Sequence, residues 1–340
     1  MKMSSDLKQQ LRQQVQGALS LDVAFIGVTN GLFRTLHHLG RATSEALATA
    51  AKMDPGYVHR WCEAAYAYGQ LEESEGCWVL SEMGAALRPE APSTLMSTAV
   101  GAALAAHMAE RAAALMRTGE RPGESALAER ETILPWYGAM MEANFRQLFE
   151  DVICPAIPAF AEADSHGGLV VDLGCGNGWY LRTLAHRYGN LHGLGLDGFA
   201  ENIAQAQAQT SAEGLAERLH FSQGNIQTFQ QEEAVDLIAM NRSLHHVWSE
   251  KENVFAIFRE HLKPGGSVVI WEPAWPADVH SLREPARRSM AFQNLSEYIQ
   301  GNHFLQPEEI VAQFCQVGME SKIYLFANGI EAVIVGRCDT

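Results

Sequence analysis

Apolar and polar positions follow two rhythms along this chain. Over residues 5–38, Leu19, Leu21, Val23, Ala24, Ile26, Leu32, Phe33 and Leu36 supply an apolar side, so the stretch reads as helical, with Gly40 as its C-cap. Thr43 or Ser44 can cap a short helix over 45–52. Asp54-Pro55 starts another, which runs through Tyr57, Val58, Trp61, Cys62 and Ala65 to Gly69. Residues 71–73 and 78–80 read as a hairpin around Glu75-Gly76. An Ala/Met-rich helical stretch follows at 91–118, then a polar loop over 118–130 with Pro122-Gly123. A helix opening at Leu134 carries Met141, Phe145 and Leu148 at helical spacing. Beyond residue 168 the rhythm changes. Short apolar runs at 169–171, 191–196, 219–226, 235–240 and 267–271 read as strands, the third with its exit loop, and amphipathic stretches intervene. Residues 272–306 read as one long connection. A helix over 308–317 and a hairpin of 322–326 with 331–335 complete a seven-stranded α/β pattern.

The first strand leads into the most informative stretch, Asp172-Leu173-Gly174-Cys175-Gly176-Asn177-Gly178. Glycines at alternate positions let the backbone turn tightly and approach a ligand. The dinucleotide fingerprint spaces its third glycine one residue later, where this chain has Trp179. Asp172 would repel a pyrophosphate and suits a ligand with a cationic end. Asp197 closes the second strand 19 residues beyond Gly178, where a carboxylate commonly accepts ribose hydroxyls.

D-x-G-x-G-x-G resembles motif I of the class I S-adenosylmethionine-dependent methyltransferases. The resemblance implies a Rossmann-like seven-stranded domain with S-adenosylmethionine as cofactor. Asp172, Gly174, Gly176 and Gly178 would then face its amino acid end and Asp197 its ribose. Asn225-Ile226 stand where that family flanks adenine, although it usually has Asp at the first position. Asn241, closing the fourth strand, is placed at the cofactor too. Leu262-Lys263-Pro264-Gly265-Gly266 before the fifth strand is typical of the family.

The segment 1–90, three helices followed by a β-wing, reads as a winged helix. It resembles the N-terminal dimerisation domain of plant-type O-methyltransferases, which implies a homodimer. Residues 91–164 would be a helical connector and lid, and 165–340 the catalytic domain. DNA is a poor partner: the first ninety residues carry eight Lys/Arg against ten Asp/Glu, and the wing holds Glu72, Glu73 and Glu75. The whole chain of 340 residues has a net charge of −15, which also disfavours an anionic membrane. Six scattered cysteines without a C-x-x-C pair, and a polar N-terminus unlike a signal peptide, are read as a cytoplasmic protein. The most apolar run, 95–108, contains Ser97, Thr98 and His107 and does not read as a membrane span.

His245-His246 follow the fourth strand, at the sheet edge where ligands bind. Leu244-His245-His246 resembles the L-H-D-W segment of plant-type O-methyltransferases, whose histidine is the catalytic base. Trp248 falls one residue late, so either histidine can hold that place. Both can equally be a packing element beside the cofactor. No spaced set of metal ligands is evident, and no metal is expected. Trp136, Tyr137, Met141, Trp271 and Tyr298 are candidates for the small-molecule acceptor, suiting a flat ring or a soft sulfur. Two acceptors remain open. One is a hydroxyl deprotonated by a histidine. The other is a thioether needing no base, as in the similarly laid-out bacterial methylthio-hydroxybutyrate S-methyltransferases. Outside methyl transfer, the same fold can hold the cofactor as a scaffold for decarboxylation or cyclisation.

Overall fold

The computed structural model describes residues 5–123, 126, 132–232 and 234–338. The chain divides into two compact units, one holding residues up to Glu110 with 130–144, the other 111–129 with everything from Phe145 onward.

In the first unit the expected single helix over 5–38 is two. Helix α1 (Ser5–Thr29) ends before Gly31, whose φ of +64° only glycine adopts freely, and α2 (Leu32–Leu39) follows. Helix α3 (Ser44–Ala51) is capped by Thr43, whose hydroxyl accepts the Ala46 N–H at 3.2 Å. Asp54 caps α4 (Pro55–Ala67) through the Tyr57 N–H at 2.9 Å, with Pro55 in the first turn. Strands β1 (Leu71–Ser74) and β2 (Cys77–Leu80) pair antiparallel across Glu75-Gly76, both at positive φ, as a tight hairpin turn requires. Phe33, Leu36, Leu47, Cys62 and Leu71 form the core. Helices α5 (Glu82–Ala86) and α6 (Met96–Leu115) follow, the second shorter than the expected 91–118. Residues 124–125 and 127–130 of the loop expected over 118–130 lie outside the described residues. A 3-10 turn, Leu134–Trp136, opens α7 (Tyr137–Leu148).

In the second unit, α8 (Pro158–Ser165) precedes a sheet of seven strands. These are β3 (Leu169–Leu173), β4 (His192–Asp197), β5 (Leu219–Gln223), β6 (Val235–Asn241), β7 (Leu262–Pro273), β8 (Glu320–Phe326) and β9 (Glu331–Arg337). They lie in the order β5-β4-β3-β6-β7-β9-β8, and only β9 runs antiparallel to its neighbours. Between strands run α9 (Trp179–Arg187), α10 (Ala200–Ala212), α11 (Lys251–His261), α12 (Arg288–Gln300) and α13 (Pro307–Gln316). Both faces of the sheet are covered. Phe149, Phe160, Tyr180 and Trp271 pack on one, and Phe255, Phe258, Phe314 and Ile270 on the other. Burial on both sides explains the unbroken apolar runs of its strands. The sheet order reverses between β3 and β6, opening a crevice at their C-terminal ends.

The connection 272–306 is not a plain loop. It folds into two 3-10 turns, Val279–Arg283 and Pro285–Arg287, and then α12. Only Met290 and Ile299 of α12 are buried, so most of its apolar residues do not face the core.

Candidate active site

Beyond β3 the glycines divide their work. Gly174 has φ +83°, and a Cβ there would stand 2.5 Å from Ser243 Cβ, where the exit of β6 crosses. Ser243 fixes that crossing by donating to the Leu173 carbonyl at 2.7 Å. Gly178, at φ +75°, starts α9, and a Cβ would run into Phe221 at 2.7 Å. Its requirement is therefore packing. Gly176, at φ +54°, has open space where a side chain would be and offers bare backbone to a ligand.

Asp197 holds the loop to the next strand. Its Oδ2 accepts the Gly176 N–H at 2.9 Å, and its Oδ1 accepts Phe199 N–H at 2.9 Å and Asn202 Nδ2 at 3.0 Å. Asp172 is 1% exposed, yet neither carboxylate oxygen has a hydrogen-bond partner within the protein. Burial, and then the nearby Asp197, push its pKa up to about 8. One strand over, Asn241 Oδ1 is likewise buried without a partner. Such orphans are rare unless a ligand completes them. Ile226 reaches within 3.7 Å of the Cβ position of Gly174. Asn225 is exposed and spends its Oδ1 on the Gln227 N–H at 2.8 Å, capping the turn Ile226–Thr228.

On the other side of the crevice, Glu272 at the end of β7 organises the segment after β6. Its Oε1 accepts the backbone N–H groups of Leu244 at 2.8 Å and His245 at 3.3 Å. Its Oε2 lies 2.7 Å from His245 Nδ1. A carboxylate only accepts, so the imidazole proton sits on Nδ1 and Nε2 is left for other chemistry. His245 is 4% exposed; burial alone would lower its pKa, but Glu272 and then Glu297 outweigh it and the pKa is raised. His246 differs. Burial and the adjacent His245 hold its pKa well below the usual histidine value, and its Nδ1 meets Asn302 Nδ2 at 2.8 Å. His245 is thus the histidine with a base's wiring. Glu272, Glu297 and Asn302 were not singled out by the sequence. The one signal for Glu272 was a carboxylate closing an otherwise apolar strand.

Arg242 enters this segment with a strained φ of +55°. Its Nη1 donates to Glu331 at 2.6 Å, and its guanidinium lies 4.0 Å from the Phe145 ring centre. Trp271 does not line the site as expected. It is 1% exposed, stacked on Phe149 and hydrogen-bonded to Glu331 at 2.8 Å, so it supports the site from beneath. Tyr298 is 56% exposed, with Arg121 5.0 Å above its ring. Trp136, Tyr137 and Met141 pack against the core of the first unit.

Residues 170–266 match the methyltransferase domain family. Over 105 residues the chain is 37% identical to trans-aconitate 2-methyltransferase of Deinococcus radiodurans, covering 31% of this chain and 38% of that protein. The chain thus spans well under half of that curated relative's length. Among solved structures, human N-acetylserotonin methyltransferase in complex with SAM aligns over all of both chains, with a TM-score of 0.75 and 17% identity. An O-methyltransferase family protein from Burkholderia thailandensis aligns over 100% of this chain and 99% of its own, with a TM-score of 0.74 and 17% identity. At such identities these structures establish the fold. The matched stretch carries both the glycine loop and Asp197, so residues 170–266 are similar to a methyltransferase domain.

The residues present fit S-adenosylmethionine: Asp172, with both carboxyl oxygens unpartnered, would face its ammonium group, Gly176 would offer an unobstructed backbone, and Asp197 would face its ribose.

Proposed function

We propose that this protein methylates a hydroxyl group of a small molecule, with His245 as general base. The observation that carries this reading is the Glu272–His245 pair. A buried imidazole is fixed through Nδ1 by a carboxylate, the arrangement in which a third group orients a base. The raised pKa makes the imidazole a stronger base. Bound S-adenosylmethionine supplies a methyl group on a sulfonium already activated for displacement. The acceptor oxygen gives its proton to Nε2 of His245 while forming the new C–O bond. The transferred methyl would leave the sulfonium with the C–S electron pair remaining on sulfur. Glu272 stabilises the imidazolium that results. The remaining work is alignment and exclusion of water.

A thioether acceptor is the second reading. It draws support from the surplus of carboxylates here, Glu272, Glu297 and Glu331 against Arg242 and His245, which suits a cationic product. Mass spectrometry separates the two. Purified protein with methyl-labelled cofactor would be offered phenols, thioethers, amines and carboxylic acids. Label on oxygen, lost at least a hundredfold in His245→Ala, is the expected outcome. Label on sulfur, undiminished in that variant, removes the base.

The reading extends to the first unit, a winged-helix domain that we take to mediate homodimerisation rather than DNA binding. Support comes from α1, where Leu7, Leu11, Val15, Leu19 and Ile26 are all exposed large apolar side chains. Among the described residues no single helix is long and apolar enough to cross a membrane. All six cysteines are free thiols, which supports a cytoplasmic setting.

A further inference from the structure

Three side chains bring metal-ligating atoms to one point. His245, His246 and Glu297 each offer one such atom, and these atoms all lie within 4.8 Å of one another. Among the described residues they are the one group of this kind. Folding assembles it: the histidines follow β6 and Glu297 comes from α12, so no spacing in the sequence announces it. Displacement at a sulfonium needs no metal, yet the donor set is one that metals use.

The ligands are oriented from behind. Nδ1–H of His245 donates to Glu272 at 2.7 Å, which leaves the Nε2 lone pair 3.7 Å from Glu297 Oε2. A carboxylate behind an imidazole is the usual way of steering it onto a metal. The Asn302 amide meets His246 Nδ1 at 2.8 Å and also bonds the Glu297 carboxylate, to which Gln300 Nε2 donates at 3.2 Å. Neutral N–H groups thus serve acceptors that a cation would serve more strongly. Nearby, the carboxylates of Glu272, Glu297 and Glu331 oppose one guanidinium, that of Arg242, so a divalent ion would bring the cluster to neutrality. Phe304 closes one side of His245 edge-on, its ring centre 5.4 Å away.

Two imidazoles and a carboxylate select among cations. Magnesium and calcium prefer all-oxygen cages, whereas zinc, cobalt and nickel accept nitrogen together with oxygen. Zinc stands about 2.1 Å from such ligands, so two of its ligand atoms lie up to about 4.2 Å apart. The 3.7 Å between His245 Nε2 and Glu297 Oε2 already fits, and a small rotation of the Glu297 side chain closes the rest. We propose that His245, His246 and Glu297 form a binding site for a divalent transition-metal ion of the zinc class, and that the bound ion caps Nε2 of His245 as a reversible brake on methyl transfer. A metal-bound Nε2 has no lone pair left to take a proton. Binding of the ion stands on the ligand geometry; the brake rests on His245 being the base, as in the hydroxyl reading above.

The test uses the full chain, stripped of metal with a chelator and saturated with S-adenosylhomocysteine. Calorimetry with zinc chloride should show an ion bound with micromolar affinity or tighter, and magnesium chloride should give no heat of binding. His246→Ala and Glu297→Gln should each weaken zinc by about tenfold or more. Unchanged affinity for S-adenosylhomocysteine shows that each variant is folded; if one fails to fold, the other decides. Cobalt(II) serves as the spectroscopic probe, with the visible absorption of a nitrogen–oxygen site expected. No uptake of zinc, or uptake undiminished in the variants, overturns the site. So does a thiolate-to-cobalt charge-transfer band, which would put the ion on a free cysteine such as the exposed Cys315. NMR of the chain labelled with nitrogen-15 in its histidines reads the brake, with His245→Asn assigning the resonance. Nε2 of His245 should titrate in the metal-free chain and lose its pH dependence with zinc bound; continued titration overturns the cap. None of these readings needs turnover, so their failure leaves the hydroxyl reading standing. Label on sulfur would remove the base, and the brake with it, and leave the zinc affinity as measured.

Discussion

Asp172 is a carboxyl group with no place inside the protein to put its charge. With a pKa near 8 and no partner, it is mostly protonated at neutral pH until a cation arrives. Binding the cofactor's ammonium end should therefore expel a proton. Affinity for S-adenosylhomocysteine should rise as pH climbs toward 8, and calorimetry in buffers of different ionisation enthalpy should show release approaching one proton near pH 6.5. Asp172→Asn should abolish that release. The sign for stability is the reverse. The folded pKa lies above the unfolded value of about 3.9, so the contribution of Asp172 is full below that pH and lost as pH rises through about 8. The Asn variant should accordingly melt higher than the parent above pH 8, with the gap closing in acid. Asp197 presents the opposite case, its oxygens already engaged by Gly176, Phe199 and Asn202. Asp197→Ala should cost at least tenfold in cofactor affinity, because both the proposed ribose acceptor and the anchor of the loop go together. The sequence exposed both carboxylates through their spacing. It could not expose Glu297, which becomes a neighbour of His245 only through the folding of α12 within the long connection after β7.

The turn after β3 and helix α1 are the elements that a substitution can test most directly. Gly174→Ala forces a methyl group onto Ser243 at a backbone angle disfavoured for alanine, and should cost about 1–3 kcal/mol in chemical denaturation. Ser243→Gly in the same chain should return the steric share and leave the backbone share, which a double-mutant cycle would resolve. On α1, the proposed dimer predicts that Val15→Glu with Leu19→Glu sediments as a monomer where the parent does not, with little loss of helix signal, since both side chains are exposed. Strands of the parallel sheet were legible because burial on both faces leaves apolar runs. The break at Gly31 was not, because apolar residues continue on either side of it. The helix within 272–306 escaped for another reason, since its apolar residues do not gather on one buried face: Met290 and Ile299 are buried, while Leu295 and Tyr298 are exposed.

At the scale of the molecule, cofactor binding to the folded state alone should raise the melting temperature. S-adenosylhomocysteine at a hundred times its dissociation constant adds about 2.7 kcal/mol. A scanning fluorimetry series should follow that logarithmic dependence, and Asp197→Ala should displace it to higher concentration. A net charge of −15 should repel polyanions, most strongly at low ionic strength. The sheet order carries one more consequence. Strand β9 lies between β7 and β8 although it comes after both, and its first residue, Glu331, receives Arg242 and Trp271. The half of the crevice beyond β6 therefore lacks its counter-charge until some sixty residues after Trp271 have left the ribosome. A nascent or prematurely terminated chain can carry a complete glycine loop and still have no finished acceptor site, and the bare edge of β7 would mark it for chaperones and proteases.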